Sequence, residues 1–148
     1  MLAQGEEQRI PEMTAVSGKV ADAANALRRI RNAEINASGK IRKAAFMPRR
    51  GGQDVDGLSV SIEDWGLVEL HRPKFESEGY RACCIRVSAV RELDLDVVAD
   101  CDVEDPAHAL ITGIPDRTRG PAELAAAEHL ASELAKRACA YTFPASHS

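Results

Sequence analysis

Apolar positions along this chain recur in two rhythms. Between residues 14 and 35, Val20, Ala24, Leu27, Ile30 and Ala33 fall at spacings of three and four, which predicts a helix with one apolar stripe. Ser38-Gly39 reads as its stop, because glycine supplies the left-handed conformation of a helix C-terminus. A second stripe runs through Leu124, Ala127, Leu130, Ala131, Leu134 and Ala138, to about Cys139. Pro121 stands at its first position and Glu123 favours the positive end of the helix dipole. Glu128, Glu133, Lys136 and His129 fall on its polar side.

Between these stretches the rhythm shortens to two. Leu58–Ile62 alternates apolar and polar residues, the pattern of a strand with one buried face. Ser61-Ile62-Glu63-Asp64 equally fits the cap of a helical turn ending at Trp65-Gly66. Cys83, Ile85 and Val87 share one face of a further strand, with Cys84 and Arg86 on the other. Over residues 92–104 the odd positions are Leu93, Leu95, Val97, Ala99, Cys101 and Val103, while every even position except Val98 is acidic. This predicts a strand with a wet acidic face, and its length leaves a helical turn over 88–93 as the alternative for its start. Shorter apolar runs at 41–47, 67–71 and 108–114 read as strands; 48–52, 74–80 and 115–120 read as loops. Residues 1–13 read as a flexible lead-in and 142–148 as a frayed tail. The expected architecture is a single α+β domain over residues 14–141: a mixed β-sheet of about four to six strands packed against an N-terminal and a C-terminal helix.

Composition changes this picture in one respect. Hydrophobic residues make up 45% of the chain, but 24 are alanines and aromatics are only 4%, so few large side chains do the packing. No apolar run approaches the roughly 18 residues of a membrane span, and the first residues lack the apolar segment of a secretory signal. The chain is therefore expected to be cytoplasmic, without a membrane partner. Four cysteines with no Cys-x-x-Cys spacing are then expected to be reduced, and Asn36-Ala37-Ser38 is a turn rather than a glycosylation site.

The net charge of −4 conceals segregation. Residues 28–50 hold eight basic side chains against one acid, Glu34, whereas residues 92–105 hold seven acids and no base. Two solvated surfaces explain this plainly; a phosphate-contacting patch is the functional alternative. Against it stand a pI near 5.6 and the lack of aromatics in the basic stretch, apart from Phe46.

Standard catalytic motifs are missing: no phosphate-binding glycine loop, no Gly-x-Ser-x-Gly elbow, no His-Glu-x-x-His helix. The candidates that remain are His71, at a predicted strand end, His108, at the start of an apolar run, and Ser59. Either imidazole suits a general base, and a hydrogen-bonded structural histidine is the plainer role. Arg42, Arg49 and Arg50 are the candidate phosphate ligands, beside a glycine-containing loop over 48–57 able to close on a ligand. Asp100, Cys101, Asp102, Glu104, Asp105 and His108 contain zinc-type donors. Cys101, however, lies on the apolar face of its predicted strand, so no metal and no cofactor are expected.

The strings Ile41-x-x-x-Ala45-Phe46-x-Pro48, Gly57-Leu58-Ser59-Val60-Ser61, Ala89-Val90-Arg91-Glu92-Leu93 and Pro106-Ala107-His108-Ala109-Leu110-Ile111 resemble a group of small bacterial proteins with no agreed activity, over residues 28–114. The resemblance implies a setting among mobile or defence-related genes and transfers no functional residue. The leading expectation is a non-catalytic binding or adaptor module acting through a protein partner, steered by its segregated charge. The alternative is a small enzyme or binder acting on nucleotides or RNA through the basic 42–50 segment and a histidine. A toxin or its neutraliser is a third reading.

Overall fold

The stripe that predicts an N-terminal helix folds instead as a strand, β1 (Asn25–Arg31), inside a six-stranded sheet. The computed structural model describes residues 20–49, 54, 56–65, 80–101, 103 and 105–142. The other strands are β2 (Leu58–Ile62), β3 (Tyr80–Arg86), β4 (Asp96–Ala99), β5 (His108–Thr112) and β6 (Cys139–Tyr141). Among the described residues two helices, α1 (Val87–Arg91) and α2 (Pro121–Arg137), complete the α+β arrangement. The sheet order is β4-β5-β2-β1-β3-β6, and every pair is antiparallel where a mixed sheet was expected.

The misreading of β1 has a physical cause. Both of its faces are covered: Ala26 and Ile30 join the main core, while Leu27 packs with Ala82 on the opposite face, against Cys84 and Tyr141. A strand buried on two sides loses its two-residue alternation, and the surviving apolar positions imitate a helical stripe. Gly39 does adopt the left-handed conformation (φ +86°), but in a turn joining Ile35 to its bridge partner Ile41. Residues 41–47 likewise form no strand. Lys43–Phe46 is a 3₁₀ turn lying under α2, and it drives Phe46, the largest fully buried side chain, into the core.

The acidic stretch is only partly extended. Glu92, Asp94 and Asp96 are exposed while Leu95 and Val97 are buried, so the alternation in burial holds there. The backbone that delivers it is α1, a turn with Asp94 at φ +62°, and the four residues of β4. Arg91 ties the turn together: it donates to the carboxylates of Asp22 and Asp96 (2.8 Å to the latter) and to the Val97 carbonyl (3.3 Å). Val103 is 97% exposed, so the apolar edge is not hidden along its full length.

α2 matches its sequence pattern, burying Ala127, Ala131, Leu134 and Ala135 and ending with Lys136 and Arg137 in its last turn. The chain then turns into β6, which pairs with β3 and was not foreseen. Ser61-Ile62 completes β2, as the alternation predicts, and a 3₁₀ turn at Glu63–Trp65 follows it. Among the described residues no helix is long and apolar enough to cross a membrane. The lead-in, residues 14–19 of the expected helix, the predicted strand at 67–71, residues 74–79 of the predicted loop and the tail from 143 lie outside the described residues.

Gly57 leads into β2 with φ +143°, and a Cβ there would stand 2.7 Å from the Ile111 carbonyl oxygen and 2.9 Å from Leu110 Cβ. Gly57→Ala should destabilise the protein by about 1–3 kcal/mol, from backbone strain and displacement of β2 against β5, measured by urea denaturation.

Candidate functional site

β1 and β2 part company after two residue pairs. Ala26↔Ile62 and Leu27↔Ser61 are in register, whereas β1 follows β3 along its whole length, from Asn25↔Arg86 to Arg31↔Tyr80. The Ile62 N–H donates to the Ala107 carbonyl on the β5 side (2.8 Å), so strand alternation turns the Ser59 carbonyl toward β1. The β1–β2 register ends before that carbonyl. Arg28 Nη1 donates to that carbonyl at 2.8 Å, and Arg28 Nε donates to the Ala45 carbonyl at 2.6 Å. The guanidinium also stands 5.9 Å from the Phe46 ring centroid. Burial pushes this guanidinium below the usual arginine range, opposed by the nearby Asp54 and Glu34 carboxylates.

A cleft of about 430 Å³ opens at this fork, lined by Arg28, Arg29, Arg31 and Arg49 together with Ser59, Tyr80, Glu34 and Asp54. The Arg29 guanidinium lies over the Tyr80 ring, 4.3 Å from its centroid, a cation–π contact that orients it. Arg49 grips Asp54 with both Nε (3.1 Å) and Nη2 (3.0 Å), and its backbone N–H adds a third bond at 2.8 Å. Burial pushes the Asp54 carboxyl up, but the Arg49 bonds outweigh it and hold the group below the usual carboxylate range.

At the rim of the cleft a hydrogen-bond chain runs across three strands. Ser59 is exposed between the buried Leu58 and Val60. In the β2–β5 register Ser59 faces Leu110 and Ser61 faces His108, which puts the imidazole on the diagonal from Ser59. His108 Nε2 lies 3.1 Å from Ser59 Oγ, and Nδ1 lies 2.9 Å from Asp100 Oδ2 and 3.2 Å from the Asp100 carbonyl. Asp100 is placed just past β4 by its own N–H, which donates to the His108 carbonyl (2.9 Å). An ionised carboxylate only accepts, so the neutral ring carries its hydrogen on Nδ1 and turns the Nε2 lone pair to the Ser59 hydroxyl. Serine, imidazole and carboxylate then stand in the order that activates a serine nucleophile, an arrangement recognised by geometry rather than by position in the chain.

Ser59 and His108 are thus brought together, and Arg49 shares the cleft with Ser59. Arg42 does not join them: its side chain is exposed away from the cleft, and its N–H donates to the Glu34 carbonyl. His71 and Arg50 lie outside the described residues. Asp100 enters the sequence reading only as a zinc-type donor and one acid of a run; its role as the carboxylate beside His108, eight residues on across the β4–β5 connection, carries no signal there. Arg28, Arg29 and Arg31 belong to the basic 28–50 segment weighed as a phosphate-contacting patch, but the sequence pattern puts them on a helix where the structure has β1. Among the described residues no group of three or more His, Cys, Asp or Glu is disposed to hold a metal; Asp102 and Glu104 lie outside them.

Arg28→Ala leaves the Ser59 and Ala45 carbonyls without their guanidinium donor and should cost about 1–3 kcal/mol in urea denaturation, with Arg28→Lys recovering only part. The depressed Asp54 carboxyl stabilises the fold above its ordinary pKa of 3.8, and that contribution is lost as pH falls through the lower folded value. Stability measured from pH 5 down to 2 should therefore fall less steeply in Asp54→Asn than in the parent, about one protonation step fewer. No family model, curated protein or solved structure matches this chain, so the assignment of a role rests on the geometry of the fork.

Proposed function

We propose that this protein is a small serine-dependent hydrolase acting on phosphate esters of the nucleotide or RNA type. The observation that carries this reading is that the Ser59–His108–Asp100 chain ends at a cleft lined by four arginines. Ser59 Oγ attacks phosphorus as its proton passes to His108 Nε2, and Asp100 holds the ring and balances the imidazolium. The guanidinium groups of the cleft take the anionic oxygens, whose charge is what the transition state of phosphoryl transfer most needs held. His108 returns its proton to the leaving oxygen, and water releases the phosphate from Ser59 by the reverse path. Four of the chain's 19 lysines and arginines line this cleft and the net charge is −4, which favours a nucleotide or a short single strand over a long duplex.

The expectation of a non-catalytic adaptor drew on the missing catalytic motifs, and a triad assembled from three strands leaves no motif to find. A protein partner remains a separate proposal, with the exposed acidic residues Glu92, Asp94 and Asp100 as its steering surface.

Incubation with a fluorophosphonate probe should label Ser59, and a panel of phosphodiesters and nucleotides should show turnover. Ser59→Ala should abolish both, while His108→Gln should lower kcat by about 10²–10⁴-fold with the fold intact by circular dichroism. Arg31→Ala should raise KM more than it lowers kcat. No labelling of Ser59, no turnover and no thermal shift with nucleotides or oligonucleotides would together sink the hydrolase.

A further inference from the structure

Outside the cleft the chain carries four cysteines; none is in a disulfide, and they differ sharply in access. Cys83 is fully buried in the main core, and burial pushes its thiol up to about 12. Cys101 is half-buried, and its Sγ donates to the His108 carbonyl at 3.6 Å. Cys84 and Cys139 stand apart from both. They are directly opposed partners in the β3–β6 ladder, so their side chains leave the sheet on the same face.

Opposed residues of an antiparallel pair have Cα atoms about 4.5 or 5.5 Å apart, according to the type of pair. Both values lie inside the roughly 4.4–6.8 Å that a disulfide requires. Their Cβ atoms, about 4.5–5.5 Å apart in such a pair, must close by about 1 Å to reach the usual disulfide separation. β6 is able to give that distance: among the described residues it is a three-residue edge strand paired with β3, and both Cys139 and Ala140 are exposed.

From this juxtaposition we propose that Cys84 and Cys139 form a redox-responsive dithiol, closed to a cross-strand disulfide by a low-molecular-weight disulfide of the glutathione class. The exposed Cys139 thiolate attacks one sulfur of the small disulfide, forming a mixed disulfide and releasing one thiolate. Cys84 then loses its proton to solvent and attacks Cys139 Sγ, expelling the second small thiolate. In sum two protein thiols are oxidised and one small disulfide is reduced to two thiols. The order of attack follows from exposure, since Cys84 is half-buried and its thiol is pushed up to about 11, chiefly by burial. A bridge that must draw an edge strand inward is the labile, regulatory kind rather than a structural one. It would clamp β6 to β3 and, through Tyr141 Oη donating to Glu63 at 2.7 Å, secure the end of β2.

The test equilibrates the full chain with glutathione buffers of graded potential, followed by intact mass and peptide mapping. Loss of two hydrogen masses, with Cys84 and Cys139 joined in one peptide pair, is expected. Cys84→Ser should stop at one glutathione adduct on Cys139, and Cys139→Ser, at an exposed position, should give no crosslink while keeping the parent circular dichroism. The bridged form should melt at higher temperature and revert with dithiothreitol. A stable glutathione adduct in the parent without a crosslink, or a crosslink through Cys83 or Cys101, overturns the proposal. Neither readout depends on Ser59.

Discussion

One guanidinium holds the fork open. Arg28 sits where β1 and β2 cease to pair, and it donates to a carbonyl on each side of the gap, Ser59 on β2 and Ala45 on the 3₁₀ turn. Separating two strands leaves backbone groups without partners, which is costly away from water. A long side chain with a rigid fork of donors answers two of them from one position. Phe46 beneath it supplies an apolar floor and a π-face, so the same 3₁₀ turn that fills the core also seats the arginine. The cleft exists because this wedge replaces continued pairing.

The wedge also explains how the basic and acidic segments meet. Arg49 of the basic segment pairs with Asp54 and Lys43 with Glu128, while in the acidic segment Asp96 pairs with Arg91 and Asp100 with His108. The two segments communicate through a chain of hydrogen bonds: Asp100 to His108, His108 to the Ser59 hydroxyl, and the Ser59 carbonyl to Arg28. Ser59 is therefore fixed at its side chain from the acidic side and at its backbone from the basic side. On the proposed hydrolase reading, a serine pinned at both ends loses little further freedom on reacting, which is the value of preorganisation at a nucleophile.

Packing serves the same end. α2 approaches the sheet through Ala127, Ala131 and Ala135, with Leu134 the one large buried side chain of the helix. Small residues let the helix lie close, so the volume of the core is filled from the sheet and the 3₁₀ turn: Ile30, Ile62, Ile85, Ile111 and Phe46. With α2 packed into this core, the outward positions Ser59, His108 and Arg29 remain available for chemistry.

Local patterns were legible wherever one face of an element was buried. α2, β2 and β5 follow their apolar spacing, because burial on a single side imposes the period of the element on the sequence. β3 keeps Cys83 and Ile85 on the core face, although Ala82 is buried on the other and Val87 already belongs to α1. The basic and acidic segments, and Ser59 and His108 as separate candidates, were likewise readable from residue types alone. What the chain could not disclose were the features that depend on neighbours distant in sequence. β1 lost its period because two strands and both faces cover it; β6 is too short to carry one; and β4 was lengthened by an alternation that a helix, a left-handed Asp94 and a short strand produce together. Asp100, His108, Ser59 and Arg28 come from four segments whose order in the sheet is β4, β5, β2, β1, and only that order makes them neighbours. Sequence determined which residues were able to bear charge, donate or attack; the tertiary fold alone decided which of them meet, since a hydrogen bond is set by distance in space and carries no mark in spacing along the chain.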